Sequence, residues 1–599
     1  MSNDIEDLVN PHKVNHINIR TLLSNIDVEN LTNYVIDISN GLTFTDRKSF
    51  DKLTRPYNIK YKIKPKNAQI SYIYRKLVSE GKLKKNQMLE YCLITKKCRA
   101  LSGVLVITVV TSPGEFSCIH NCYYCPNEPG QPRSYLSQEP AVRRANIYNF
   151  NIVQQFHERA STHSINGHPV DKIEVIVEGG TWSNYPIKYQ YECIRDLYYA
   201  ANTFYDVTKR PKLTLSEEKT LNETSPTKII GLALETRPDY ITPEEIQRYL
   251  EFGVTRVQLG IQTSDDTILK KINRGCYNQD SIRAIKLLKE SGMKIIIHLM
   301  PNLPYSSPDK DIEMFRYILE SDDIQADEWK IYPTSVAADP SQDSTYSVIE
   351  DWYKSGKYKP YSLEELTDVI LYAKRNVHPW IRLSRVIRDI PKQYIIGGVD
   401  RPNMRQDLQM IMAQNGERCQ CIRCSEVRNR ESNLNDAKIV IRRYGSSGGD
   451  EYFISYESER NAERFLHGFL RLRLSSDAGM CVPILKKCAL IRELHVYGQI
   501  IPTQLGNRDA NQASQHHGIG KKLLQEAERI SWANNYQKIA IRSGVGVREY
   551  YRKRGYLLID EYMIKEYIPS YSIIPSYSIR IILSILLLIF SIMITYLIV

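Results

Sequence analysis

Cys118, Cys122 and Cys125 stand in the run Cys-Ile-His-Asn-Cys-Tyr-Tyr-Cys. Three thiolates on one short loop can hold three irons of a 4Fe-4S cluster and leave the fourth iron without a protein ligand. An iron with an open position can chelate a small molecule, and the cluster can pass it one electron. That points to radical chemistry on S-adenosylmethionine, because a cluster used for electron transfer alone would take four protein ligands. Two other uses compete. A closed zinc site wants a fourth ligand and usually a second cysteine pair nearby, and a disulfide would strand one thiol. The spacing, with the aromatic Tyr124 before the last cysteine, favours the cluster.

A second triplet, Cys419, Cys421 and Cys424, suits tetrahedral zinc with a fourth ligand from elsewhere. Cys193, Cys276 and His378 are candidates for it, and merely structural or reactive thiols are the plainer alternative. A third motif, Gln515-His516-His517-Gly518-Ile519-Gly520-Lys521, opens a helical pattern. A glycine turn at a helix N-terminus presents backbone N–H groups and the positive end of the helix dipole to a pyrophosphate. The match is weak alone, and an ordinary strand-turn-helix is the plainer alternative. It gains weight from the β-rich run Ile491–Tyr497 before it and from the downstream Gly544-Val-Gly-Val-Arg-Glu-Tyr550-Tyr551.

These residues need elements to hold them. From Lys172 to Pro391, short β-rich runs alternate with helical patterns. Strands are expected at Ile173–Glu178, Ile229–Glu235, Arg256–Gln262, Lys294–Leu299, Trp329–Tyr332 and Ile381–Ile387. Helices are expected at Pro243–Phe252, Asp280–Ser291, Ile312–Leu319 and Leu363–Val377. Repeated β-α units predict a parallel, open or partial barrel with its chemistry at the strand C-termini. Gly179-Gly180-Thr181, Glu235, His298 and Lys330 lie there. Thr214–Lys228, rich in Ser, Thr and Glu, reads as an inserted loop, and Asn429–Asp436 separates the barrel from a later α+β region at Ala437–Tyr567.

The 599 residues leave room for about three to four domains. With 42% hydrophobic and 25% charged residues the chain reads as mostly globular, and 12 cysteines gathered partly in triplets suit metal ligation in a reducing compartment. Met1–Asn40 has no apolar core of a cleavable signal. The net charge of +12 is uneven: Arg47–Arg99 carries 16 Lys or Arg against Asp51, Glu80 and Glu90. Tyrosines interleave with these lysines, as on a surface that meets phosphates and stacks bases, although a solvated basic face is the plainer reading. Ile581–Val599 is 19 residues without a charge, long enough to span a bilayer core. It reads as a tail anchor that leaves the catalytic domains cytoplasmic, on the cytosolic face of the mitochondrial outer membrane or endoplasmic reticulum.

The two cysteine triplets and the glycine motif, in this order, resemble the catalytic subunit three family of the Elongator complex and its stand-alone microbial and viral relatives. The resemblance covers Arg55–Ile564. It is carried by Glu235-Thr-Arg-Pro-Asp-Tyr240, Asn273-Arg-Gly275, His298-Leu-Met-Pro-Asn-Leu-Pro304, Lys330-Ile-Tyr-Pro-Thr334, Arg388-Asp-Ile-Pro391, Arg492-Glu-Leu-His-Val-Tyr-Gly498 and Ser543-Gly-Val-Gly-Val-Arg548.

The resemblance implies an α/β chain: a basic tRNA-binding region at 1–95, a radical-SAM domain with a partial (β/α) barrel at 96–400, a cysteine-rich zinc linker at 401–436 and an α+β GNAT acetyltransferase domain at 437–567; the uncharged C-terminal run adds a transmembrane tail at 580–599. The resemblance also implies a tRNA carboxymethyluridine synthase that converts the wobble uridine to 5-carboxymethyluridine. Acetyl-CoA would supply the carbon fragment and S-adenosylmethionine a 5′-deoxyadenosyl radical, so the two cofactor sites would face a shared cleft. Cys118, Cys122 and Cys125 would ligate the cluster. Gly179, Gly180, Thr181, Glu235 and Lys330 would contact S-adenosylmethionine, with Lys330 and His298 catalytic. Gln515, His516, His517, Gly518, Ile519, Gly520 and Lys521 would hold the CoA pyrophosphate, and Tyr550 and Tyr551 the thioester. Lys96, Lys97 and Arg99 would meet tRNA, and a homodimer or Elongator-type subunits would be further partners. The cysteine gap is shorter than in eukaryotic members, Cys276 stands where many members have histidine, and the tail is not a general family feature. The competing functions are a protein lysine acetyltransferase acting on histones or tubulin, with a structural cluster, and a non-catalytic membrane scaffold.

Overall fold

The computed structural model describes residues 23, 25–44, 47–94, 102–338, 346–428, 434–498 and 518–567. Five helices come first: Val28–Gly41, Arg47–Leu53, Arg55–Lys60, Asn67–Ser79 and Gln87–Leu93. Leu31, Tyr34, Val35 and Ile38 on the first, and Ile70, Ile73, Tyr74 and Leu77 on the fourth, recur at helical spacing and bury a small core of their own. Lys62, Lys64, Lys66, Lys82, Lys84 and Lys85 stay exposed around it. Arg75 Nη1 donates to Ser164 O at 2.8 Å and ties this unit to the next.

Seven parallel strands then form one sheet in chain order: β1 (Leu105–Val110), β2 (Lys172–Glu178), β3 (Lys228–Thr236), β4 (Arg256–Gln262), β5 (Lys294–Leu299), β6 (Glu328–Ile331) and β7 (Arg382–Arg385). Helices cross between them, so the sheet curls into an open half-barrel. Every residue of β5 and β6 is buried, as expected of strands covered on both faces.

β2 to β7 lie where the apolar runs predicted them, with edges shifted by a residue or two. β1 was not foreseen, and it delivers the cysteine loop. The expected loop at Thr214–Lys228 contains a helix, Leu215–Asn222, started by a reciprocal Thr214/Glu217 capping box. Its Glu218 is fully buried and bound by Arg210 at 2.6 and 2.7 Å. The stretch expected as a linker holds a helix too: Met404–Gln414 packs Met404, Leu408 and Met412 onto Leu366 and Ile370 of the preceding helix.

The last unit is a mixed sheet of β8 (Lys438–Ser446), β9 (Gly449–Arg460), β10 (Glu463–Leu474), β11 (Cys488–Val496), β12 (Lys538–Ile541), β13 (Leu557–Ile559) and β14 (Tyr562–Glu566), ordered β8-β9-β10-β11-β12-β14-β13. Only β11 and β12 are parallel, joined through the helix Ile519–Ala533. Their ladder runs from Cys488↔Lys538 to Ile491↔Ile541, and beyond Ile491 the two strands part.

This sheet closes over the N-terminal ends of the barrel strands through buried ion pairs. Arg492 binds Asp327 at 2.7 Å and Glu451 at 2.8 Å, Arg471 binds Glu493 at 2.9 Å, and Lys294 reaches Glu493 at 2.7 Å and Glu328 at 3.3 Å. A Cβ on Gly544 would lie 2.0 Å from Ile230 O of β3, so only glycine allows that approach. Among the described residues no helix is long and apolar enough to cross a membrane; the proposed anchor, Ile581–Val599, lies outside them.

Candidate active site

The cysteine loop leaves the C-terminal end of β1. Cys118 follows the short turn Glu115–Ser117, and the Cys125 N–H donates to Cys122 O at 3.0 Å, folding the last two cysteines into a tight turn. Cys122 is buried between two guanidiniums, with Arg274 Nη1 3.6 Å and Arg237 Nη1 3.9 Å from its Sγ. Thr181 Oγ1 donates to Cys118 Sγ at 3.3 Å. Gly179 and Gly180, at φ 127° and 89°, carry the end of β2 beneath this loop. A Cβ on Gly179 would sit 2.1 Å from Thr111 Oγ1, and one on Gly180 2.3 Å from Ser117 O.

Burial and then the neighbouring Cys122 push the Cys125 thiol up to about 11; a bound cation would deprotonate it. The positive surroundings of Cys122 fit a set of thiolates. The three thiols are not gathered as the ligands of one ion are, since among the described residues only Cys419, Cys421 and Cys424 form such a group. The donor set fits a cluster taking one thiolate per iron.

Beside the loop lies a cavity of about 300 Å³ lined by Tyr124, Glu178, Glu235, Gln262, His298, Tyr332, Arg385 and Arg388 among others. Every described lining residue comes from the barrel unit, so the expected cleft shared with the second sheet is not what encloses it.

A chain of polar groups runs along the cavity wall. Tyr135 OH donates to Glu235 Oε2 at 3.1 Å, Glu235 Oε1 lies 3.4 Å from His298 Nδ1, and His298 Nε2 lies 3.2 Å from Gln258 Oε1. Lys330 also donates to that Gln258 oxygen, so the oxygen is an acceptor and His298 Nε2 carries the hydrogen. Burial, then Lys330 and Arg388, hold His298 well below its usual range, so it is neutral. Burial raises Glu235, with Lys330 opposing and Glu178 adding. With His298 neutral the contact is no ion pair, and burial shifts Glu235 toward the protonated form that could donate to His298 Nδ1. Burial works against the charge on Lys330, but Tyr332, Glu178 and Glu235 outweigh it and raise its pKa. Lys330 stands behind His298 rather than on the cavity wall.

The second triplet sits where β7 meets the second sheet. Its three Sγ atoms lie within 4.8 Å of one another, and Ile422 N donates to Ile381 O at 3.0 Å. None of the three fourth-ligand candidates joins it. His378 stacks on Trp380 with centroids 4.5 Å apart and its Nε2 meets Leu319 O, Cys193 is buried in the barrel core, and burial pushes the Cys276 thiol up to about 12.

In the second sheet, Gly518 adopts φ 72° and the helix starts at Ile519. A Cβ on Gly520 would come within 2.8 Å of the Tyr550 hydroxyl and 3.6 Å of Val496, so the turn, the end of β11 and Tyr550 meet at the point where β11 and β12 part. Lys521 is exposed there. The Arg554 guanidinium lies 3.5 Å from the Tyr550 ring centre, while Tyr551 is buried in the core beneath. Gln515, His516 and His517, like Lys96, Lys97 and Arg99, lie outside the described residues.

Residues 187–317 match the model of the Radical SAM superfamily, and residues 326–414 that of the Radical_SAM C-terminal domain. A protein named tRNA uridine(34) acetyltransferase from Dehalococcoides mccartyi is 39% identical over 479 residues, 78% of this chain and 99% of that protein. The Elongator complex protein 3 of Homo sapiens is 34% identical over 499 residues, covering 79% and 86%. The chain belongs to this Elongator complex protein 3 family. The solved structure of the archaeal Methanocaldococcus infernus Elp3 with N-terminus deletion (1-46) superposes with a TM-score of 0.65 at 36% identity, covering 78% of this chain and 100% of that one.

In this Elongator complex protein 3 family member, Tyr135 and Gln258 carried no readable signal, and Arg237 and Arg274 stood in the strings Glu235–Tyr240 and Asn273–Gly275 without their contacts to Cys122 being legible. Each acts on a partner far away in sequence, as Arg274 does on Cys122 across 152 positions. Conversely, much of the strings Arg492–Gly498 and Ser543–Arg548 serves the domain seam. Arg492 and Glu493 make its ion pairs, His495 Nε2 meets Ser102 O at 2.8 Å, and Arg548 binds Glu223 at 3.1 Å.

Proposed function

We propose that this protein modifies the wobble uridine of tRNA, with 5-carboxymethyluridine as the product. The observation that carries the reading is the cavity beside the cysteine loop, with neutral His298 and raised Glu235 on its wall. The names of its relatives support the substrate class. Cys118, Cys122 and Cys125 would hold the cluster, and Glu235 with Gly179, Gly180 and Thr181 would meet S-adenosylmethionine. Gln515–Lys521 with Tyr550 and Tyr551 would hold acetyl-CoA in an acetyltransferase-type sheet. When bound, these groups supply a one-electron reductant, a carbon-centred radical and a two-carbon acyl fragment.

The chain's own residues prepare the place. Arg237 and Arg274 offset thiolate charge at Cys122. Lys330 fixes Gln258, Gln258 fixes the hydrogen on His298 Nε2, and Glu235, its pKa raised by burial, sets Oε1 against His298 Nδ1. Burial disfavours charge on His298 and Glu235 and shifts both toward their neutral forms.

Purified protein, reconstituted without oxygen and given tRNA, S-adenosylmethionine and methyl-labelled acetyl-CoA, should place the label on uridine 34, read by nucleoside mass spectrometry. Absence of label in tRNA, with acetyl transfer to lysine peptides instead, would leave the lysine acetyltransferase reading in its place.

Three further assignments belong to this reading. Zinc would sit on Cys419, Cys421 and Cys424, where three thiols converge. The exposed lysines of the N-terminal helices, with Lys96, Lys97 and Arg99, would meet tRNA phosphates. Ile581–Val599 would anchor the protein to an organelle membrane; its deletion should move the protein to the soluble fraction, and retention on membranes would remove the anchor.

A further inference from the structure

A surface cluster beside the cysteine loop is not used by any of these roles. Three aromatic side chains from three separate segments meet there. Tyr123 comes from the cysteine loop, Tyr305 from the segment after β5, and Trp352 from the helix Val348–Lys354. Tyr123 and Trp352 lie 5.4 Å apart at 76°, and Trp352 and Tyr305 lie 5.7 Å apart at 79°. Lys271 Nζ stands 4.8 Å over the Tyr305 ring, and Lys357 Nζ stands 4.2 Å over Trp352. Both lysines are exposed.

Packing alone does not account for this arrangement. Tyr305 is 43% exposed and has φ 71°, a left-handed conformation that bulky L side chains rarely adopt. Strain of this kind persists where the surroundings enforce it, and it gathers at functional positions. Trp352 packs against Val336, Ile349 and Tyr358, while lysine ammoniums stand over the Trp352 and Tyr305 rings.

The cluster is tied to the cavity wall along the chain. Tyr123 precedes Tyr124, which lines the cavity, and Ser347, which caps the Trp352 helix, lines it as well. Ile349 N donates to Tyr123 O at 2.9 Å, locking that helix to the cysteine loop. Open aromatic faces interleaved with lysines are the chemistry that binds unpaired nucleic-acid bases, by stacking on the rings and by charge at the phosphates. A nucleotide that enters an enclosed cavity leaves its unpaired neighbours outside.

We propose that Tyr123, Tyr305 and Trp352 form a stacking platform for the single-stranded RNA bases that flank the nucleotide entering the cavity, with Lys271 and Lys357 meeting the phosphates between them. This rests on the tRNA reading above and adds a second contact region, separate from the basic N-terminal helices.

The test uses the full chain and two fluorescein-labelled RNAs, an anticodon stem-loop and a blunt duplex of the same length, with affinity read by anisotropy at fixed salt. Tyr305→Ala and Trp352→Leu should each weaken the stem-loop by about 10-fold and leave the duplex unchanged, since aromatic contacts serve unpaired bases. Tyr305→Phe, which keeps the ring, should bind like wild type. Should Trp352→Leu fail to fold, the exposed Tyr305 pair of variants decides alone. Unchanged stem-loop affinity in Tyr305→Ala, or an equal loss for both RNAs, overturns the platform while the tRNA reading stands. A wild-type protein that binds neither RNA overturns both.

Discussion

β5 and β6 carry buried charge at both ends, and the two ends behave oppositely. At the N-terminal end, Lys294, Asp327 and Glu328 meet Arg471, Arg492 and Glu493 of the second sheet. There the carboxylates are ionised. Burial raises Asp327, but Arg492 and Arg471 hold it far below the usual range, and Lys294 and Arg256 do the same for Glu328. At the C-terminal end, His298 lies against Glu235 on a cavity wall with Lys330 behind it, and burial holds His298 neutral and raises the pKa of Glu235. Equal burial with a counter-ion gives a joint; equal burial beside empty space gives groups that can trade a proton. This is the division of a β/α barrel into a stabilising bottom and a reactive top, here used to mount a second domain on the bottom.

The sharpest way to break the comparison is Arg492→Ala. It leaves Asp327 and Glu451 as buried carboxylates short of a partner, which costs about 3–5 kcal/mol. Thermal unfolding should begin far lower, and limited proteolysis should release the barrel from the second sheet. Replacing Arg492 and Asp327 together by Met and Leu should recover part of that loss. An Arg492→Ala protein with wild-type melting would show that the seam is not a joint.

At the other end of the same strands, His298→Gln should leave melting within about 1 kcal/mol of wild type, because the side chain borders space. It should lower tRNA-dependent acetyl-CoA turnover by about 100-fold or more, the ordinary worth of a positioned proton-transfer group. A variant that loses stability but keeps turnover would place His298 with the structural set.

The sequence disclosed the reactive end better than the joint. β2 to β6 are apolar runs bounded by turn residues, so their C-terminal residues, including Glu235, His298 and Lys330, could be found by counting. β1 was passed over although Leu-Val-Ile-Thr-Val-Val is as β-prone as any other run, because the repeating β-α pattern becomes visible only after Lys172. The helix at Leu215–Asn222 was hidden by its Ser, Thr and Glu content, yet Thr214-x-x-Glu217 is a start signal that could have revealed it. The seam had no local signal at all. Arg492 and Asp327 are 165 positions apart, and neither flank marks a buried charge. The string Arg492-Glu-Leu-His therefore read only as a family marker and a β-rich run, while most of its side chains join domains.

Acid separates the two ends by sign. Burial raises Glu493, but Lys294 and Arg471 hold it down at about 2, against an ordinary value of 4.5. Its stabilisation is therefore present above pH 4.5 and lost as the pH falls toward 2. The difference is worth about 3 kcal/mol at most. Glu235 is shifted the other way, so its folded form favours the proton and its contribution declines as pH rises past 4.5. Urea midpoints measured from pH 7 to pH 3 should fall steeply for wild type and less steeply for Glu493→Gln, which starts lower. Glu235→Gln should keep the acid fall of wild type. Parallel curves for wild type and Glu493→Gln would mean that the seam carboxylate is not ionised in the fold.

The smallest change that still tests the comparison is Tyr135→Phe. It removes one hydroxyl that donates to Glu235 Oε2 at 3.1 Å and leaves the ring beside Arg388. That hydrogen bond favours the ionised carboxylate, so its loss moves Glu235 further up from a value burial has already raised. The effect on stability should be under about 1 kcal/mol, the size of a single neutral hydrogen bond. The effect on turnover should be an upward displacement of whichever limb of the pH profile follows Glu235, with the plateau changed only a few-fold. The same hydroxyl deletion at Tyr444, half-buried against Trp380 in the seam with ring centroids 4.5 Å apart, should leave that profile where it was. If Tyr135→Phe and Tyr444→Phe move the pH limb alike, the cavity has no private proton balance, and the two ends of the strands differ in position only.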